Sequence, residues 1–186
     1  VLIGKDYHWR SVRESLLTFL TSKSIVDKYY DKLKFMSEKE HSPFETILHK
    51  IYEDENVKVE SFKVPHGSFD DAYGFKFTTE DKVIVFSGDT GPSKTIEKLA
   101  YKADILVHEV YSQAGFLEKT KDWQKYHQGH HTSTLEVGEI ASKAKPQLLL
   151  LSHILFWGST PDEILQETRR TFSGNIKVAE DLMVIE

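Results

Sequence analysis

The residues of this sequence best suited to chemistry are its histidines and a few carboxylates, because of what precedes each of them. The apolar run Val83-Ile84-Val85-Phe86 leads through Ser-Gly to Asp89, and Ile105-Leu106-Val107 leads straight into His108 and Glu109. Leu148-Leu149-Leu150-Leu151 leads through Ser152 to His153. His66 follows the alternating stretch 57–65, and His131-Thr132-Ser133 stands immediately before a helical pattern. The chain has 9 histidines and no cysteine, so disulfides and thiolate zinc sites are excluded and any metal is held by His, Asp and Glu. Imidazole and oxygen donors gathered at one rim suit a hard or borderline dication.

Each of these residues also has an ordinary reading. Asp89 in Gly-Asp-Thr fits a turn or a helix N-cap. Thr132 or Ser133 fits a helix cap, His108-Glu109 an exposed pair at a strand end, and a lone His after a strand a surface residue. These readings weaken together, because ligands in open α/β sheets collect outside the carboxyl ends of the strands and four of the sites share that position. The remaining histidines are weaker candidates. His8, His41 and His49 lie on polar helical text and read as solvated. His127 and His130 flank His131 and line a pocket at most, and Trp9, Trp123 and Trp157 read as packing residues.

The elements that must position these groups follow from periodicity. Val12, Leu16, Leu17 and Leu20 fall on one face of a helix over 10–20, with further helices expected over 25–36 and 44–52. Residues 1–4 read as a strand. Alternation from Val57 predicts a strand, and 73–77 and 82–86 predict a hairpin around Glu80-Asp81. Thereafter strand, loop and helix repeat: a helix over 93–101, a strand at 105–107, a polar stretch over 112–130 and a helix over 134–144. A strand at 148–151, a helix over 161–172 and two short strands at 176–179 and 182–185 complete the pattern. Apolar strands alternating with helices predict an α/β sheet covered by helices, in one domain over 1–186.

At 186 residues, 39% hydrophobic and 28% charged, the composition is that of an ordinary globular protein. A net charge of -5 argues against a general nucleic-acid binder. No apolar run is long enough to span a bilayer and no signal peptide is visible, so no membrane partner is expected. A cysteine-free chain suits cytoplasm and periplasm equally.

With those residues in view, the sequence resembles the metallo-β-lactamase-fold hydrolase superfamily, in its ribonuclease Z and arylsulfatase-like branch. The resemblance is carried by VPHGSFDDAYGFKF, VFSGDT, ILVHEVY, HHTSTLEVGEIA and LLLLSHI, in that order, from about residue 57 onward. It implies a four-layer αββα sandwich, of which this chain supplies the second half and part of the first. It implies His66, Asp89 and His153 as ligands of two divalent metals, zinc first with manganese or iron as alternatives, and Asp89 as the bridge. His131 would be the proton donor or oxyanion holder, and Glu109 would orient it. The reaction implied is attack of metal-bound hydroxide on an ester or phosphodiester.

The superfamily's His-x-His-x-Asp-His motif is absent from the 186 residues. With Val1 at the start, this leads us to expect an N-terminally truncated chain whose metal site is incomplete by itself. A small-molecule ester or phosphodiester is the expected substrate, and a homodimer is compatible with the pattern. A ribonuclease Z-like endonuclease acting at tRNA 3′ ends is the alternative. A metal-free binding or scaffold module is the competing class.

Overall fold

The computed structural model describes residues 48–185. The expected strand at 1–4 and helices over 10–20 and 25–36 lie outside them. The chain divides into two compact units, one spanning 46–178 and one combining 1–45 with 179–186. The first unit contains every candidate site residue.

Seven strands form one sheet in sequential order. β1 (His49–Glu53), β2 (Lys58–Lys63), β3 (Tyr73–Thr78) and β4 (Val83–Phe86) pair antiparallel. β4, β5 (Ile105–Tyr111), β6 (Leu148–Leu155) and β7 (Ile176–Val178) pair parallel. Parallel neighbours need crossovers, and helices supply them: α1 (Lys94–Leu99) between β4 and β5, and α5 (Pro161–Thr168) between β6 and β7. Between β5 and β6 come α2 (Gln113–Leu117), α3 (Lys121–His130) and α4 (Thr134–Ala144). The α/β architecture expected from the apolar strand runs is the one observed.

Ile96 of α1, Val137, Ile140 and Ala141 of α4 and Ile164 of α5 share one core cluster with Leu106, Val110, Leu149 and Leu151. Full burial of a Leu or Ile side chain stabilises by roughly 1.5–3 kcal/mol, so this layer fixes where the strands end. The opposite parity, Val107, Leu148 and Leu150, is buried as well. Burial on both faces explains why these strands read as unbroken apolar runs.

The structure corrects several expectations. Of the helix expected over 44–52, residues 49–52 belong instead to strand β1, because pairing with β2 outweighs the weak helical spacing. The stretch 112–130, read from the sequence only as polar, holds α2 and α3. The strand expected at 182–185 is absent. Asp181 and Leu182 form a turn closed by the Met183 N–H to the Glu180 carbonyl (3.1 Å), and Leu182 and Val184 are exposed. The helix over 134–144 has its expected bounds, and a capping box between Ser133 and Glu136 starts it.

Candidate metal centre

The candidate residues all stand on the segments that leave the carboxyl ends of β4, β5 and β6, or on loops sewn to them. Beyond β4, Gly88 takes φ +63, and a Cβ there would collide with the Tyr73 carbonyl oxygen. Only glycine turns the chain so tightly against β3, and that turn delivers Asp89. On β5, alternate side chains point to opposite faces, so His108 and Glu109 diverge. His108 lies on the parity of Leu106 and Val110, wholly buried, its Nδ1 donating to the Glu109 carbonyl (2.7 Å). The exposed strand-end pair that the sequence allowed is therefore not what the fold builds.

Glu109 is 2% exposed and fully engaged. Its Oε1 accepts from the backbone N–H groups of Thr132 (2.9 Å) and Thr90 (3.3 Å), and its Oε2 lies 3.3 Å from His131 Nδ1. Complete burial holds its carboxyl well above the usual range, against the pull of His153 and of the two backbone donors. One carboxylate thus ties the Asp89–Thr90 turn to the His131 loop. Thr132 Oγ1 adds a second tie, donating to the Thr90 carbonyl (2.7 Å), and the Tyr111 N–H donates to the Thr132 carbonyl (2.9 Å). The fold thus brings Glu109 and His131 side by side.

His153 does not follow β6, as the sequence suggested, but sits within it. Ser152 pairs with Glu109 and Ile154 with Val110, which leaves His153 as the extra residue of a β-bulge, at φ +44. Bulges bend a strand and re-aim a side chain, at a cost in backbone strain. This one places His153 Nδ1 3.6 Å from Asp89 Oδ1 and its ring 5.9 Å from that of His131.

His66 arrives from the loop after β2. Its Nδ1 donates to the His130 carbonyl (2.7 Å), which assigns the proton to that nitrogen and leaves Nε2 as the unprotonated one. The ring lies 5.2 Å from that of His131. Partial burial lowers its pKa, and burial likewise lowers that of His131, opposed there by Asp89.

Donor atoms of Glu109, His131 and His153 lie within 4.8 Å of one another. This closest set joins one residue read as a ligand, His153, to two read as catalytic. With Asp89 against His153 and His66 against His131, oxygen and imidazole donors converge, and such a set fits a divalent metal. Periodicity missed the helix α3 that frames this cluster. The signal was the four-residue spacing of Trp123, His127 and His131 and of Tyr126 and His130, legible only once 121–130 is taken as helix.

A family model described as a beta-lactamase superfamily domain matches residues 9–154, and the chain belongs to that family. Curated relatives named Ribonuclease Z match about half of the chain. Ribonuclease Z of Archaeoglobus fulgidus is 36% identical over 104 residues, covering 55% of this chain and 32% of the relative. Ribonuclease Z of Bacillus velezensis is 34% identical over 106 residues, covering 56% and 32%. The chain thus spans about a third of the length of these relatives.

Among solved structures, the metallo-beta-lactamase fold protein YhfI from Bacillus subtilis superposes with a TM-score of 0.61 at 20% identity, covering 87% of this chain and 61% of that one. Human tRNase Z, short form, gives 0.52 at 22% identity, covering 75% and 45%. At those identities the likeness is one of fold.

Proposed function

We propose that this chain carries the reaction site of a metal-dependent hydrolase acting on an ester or phosphodiester bond, with His66, Asp89 and His153 holding two divalent ions. The observation that supports this most is the convergence of these three residues with His131 and Glu109 at one end of the sheet. When bound, two dications lower the pKa of a coordinated water and offset the charge of the scissile group. Zinc suits the donor set, with manganese or iron as alternatives.

The chain's own residues supply the rest. Asp89 offers two oxygens and one negative charge beside His153, as a bridge between cations requires. His131 has Nδ1 turned to Glu109, so Nε2 is the nitrogen that moves a proton to the leaving oxygen, a role worth about 10²–10⁴-fold in rate. Glu109 positions His131 from a site that excludes water.

A second reading has a specific support: relatives above 30% identity over about 100 residues are named Ribonuclease Z. In that reading the scissile bond is a phosphodiester of RNA. Zinc or manganese titration, followed by hydrolysis of a p-nitrophenyl ester, bis-p-nitrophenyl phosphate and a tRNA precursor by the natural polypeptide carrying this chain, tests both. Metal-dependent turnover of the small diester is expected, and turnover of the precursor alone would favour the ribonuclease. No turnover of any of them in a metal-loaded protein would overturn the hydrolase.

A further inference from the structure

The loop that carries His66 is held by backbone groups on two sides. On one side the Pro65 carbonyl accepts from the Gly91 N–H (2.7 Å) and from Thr90 Oγ1 (3.1 Å), which ties the loop to the turn of Asp89. On the other side it meets the end of α3. A helix leaves its last carbonyls without intrahelical partners. In α3 the His127 carbonyl still accepts from the His131 N–H (2.8 Å), but those of Gly129 and His130 turn to the loop. The first accepts from the Gly67 N–H (2.8 Å) and the second from His66 Nδ1 (2.7 Å).

A ring and a missing side chain complete this seat. His130 Nδ1 donates to the Tyr126 carbonyl (2.7 Å) one helical turn back, and the ring stacks on that of Tyr126 at 4.0 Å. So fixed, it stands edge-on to His66, with centroids 5.3 Å apart and planes at 84°. Its Nε2 is buried and has no hydrogen-bond partner among the described residues, so this side of the ring acts by shape. Gly67 has φ +58, and a Cβ on it would fall on the His130 ring, nearest Nε2. In a close-packed interior a side chain at 67 must drive the ring off Tyr126 or the loop off α3.

We propose that Gly67 and His130 are positioning residues for His66: their contact seats the loop on the end of α3, where the His130 carbonyl fixes the proton on Nδ1 and so leaves Nε2 free for a cation. The role of that nitrogen rests on the reading of His66 as a metal ligand given above; the seating does not. A carbonyl at a helix C-terminus carries partial negative charge, so an imidazole that donates to it becomes the better donor to a cation through its other nitrogen. Adjacent residues thus act on different rings: His131 through its own, His130 through that of His66.

Nitrogen NMR of ring-labelled histidine in the metal-free natural polypeptide carrying this chain reads the seating, with His66 assigned by the signal that His66→Gln removes. The wild type should show His66 as a single neutral tautomer, protonated on Nδ1. Gly67→Ala should turn it into a mixture and weaken zinc binding about 10- to 100-fold, the loss typical of a partner that orients a metal-binding imidazole. Gly67→Ala combined with His130→Ala gives the new methyl the space of the ring and should recover a large part of both. A general folding defect, or the strain of a left-handed alanine by itself, would not be relieved in that way. A wild-type His66 protonated on Nε2, an unchanged tautomer in Gly67→Ala, or a double variant no better than the single one would overturn the proposal. A mixed tautomer with unaltered zinc binding would leave the seating standing and remove His66 from the metal site.

Discussion

The two ends of the parallel strands are built to different rules. At the amino ends every local demand is met. Asp104 accepts from the Val83 N–H (2.7 Å) and from Gln147 Nε2 (2.9 Å), and the Lys102 and Gln147 N–H groups donate to Ala144 and Ala103. Of the two left-handed residues there, Lys145 ends α4, an ordinary use of that conformation, and Lys102 lies in the turn after α1. At the carboxyl ends the same strands carry His153 and Trp157 in left-handed conformations that end no helix. Three buried ring nitrogens, His108 Nε2, His127 Nδ1 and His130 Nε2, lack hydrogen-bond partners among the described residues. Unpartnered buried ring nitrogens thus gather around the candidate centre, where such departures from local preference are expected of a functional site.

The largest expected effect breaks the chemistry and leaves the fold. His131→Ala should lower hydrolysis by the natural polypeptide about 10²–10⁴-fold, read in steady-state kinetics. A loss of less than about threefold would return His131 to a packing role.

Glu109→Ala probes the seam between the two loops. It strands the Thr90 and Thr132 N–H groups in a buried place, at about 1–3 kcal/mol for each donor. A urea midpoint close to wild type would show that the seam is not structural.

The pH dependence of stability follows from His108. Its pKa falls from 6.5 to about 4 on burial, so between those values the unfolded chain binds more protons than the folded one. Stability from this group is full above pH 6.5 and is lost as pH falls toward 4, on the order of 3 kcal/mol in all. Glu109, with its raised carboxyl, acts in the opposite sense, so the His108 part is read as the difference between wild type and His108→Gln in urea midpoints across that window. Parallel curves would contradict it.

The smallest effect sharpens the comparison most. Lys145→Gly relieves a left-handed residue at the saturated end and should raise stability by up to about 1 kcal/mol with metal binding unchanged. His153→Gly relieves the same kind of strain at the other end and should abolish metal binding whatever it does to stability. Thermal melts with elemental analysis read both.

Much of the site was legible because apolar strands bury both faces and so end abruptly in their functional residues, as with Asp89 and Glu109. The α4 start was legible from Thr132 and Ser133 as cap candidates, of which Ser133 is the cap. The bulge at His153 was not, since a bulge is a register relation between two strands and leaves no mark on either. Nor was the burial of Glu109, which depends on N–H groups from Thr90 and Thr132, 19 and 23 residues away. β1 looked helical because its partner β2 supplies the pairing that its own spacing does not.

Metal content of Asp89→Ala and His131→Ala in the natural polypeptide carrying this chain, set against its wild type after equilibration with zinc and removal of free ion, tests the division of labour at the carboxyl ends most directly. Asp89→Ala should lose the metal that wild type retains, and His131→Ala should keep it. Equal loss in both would make His131 a ligand alongside Glu109 and His153, and retention in Asp89→Ala would remove the bridging carboxylate from the account.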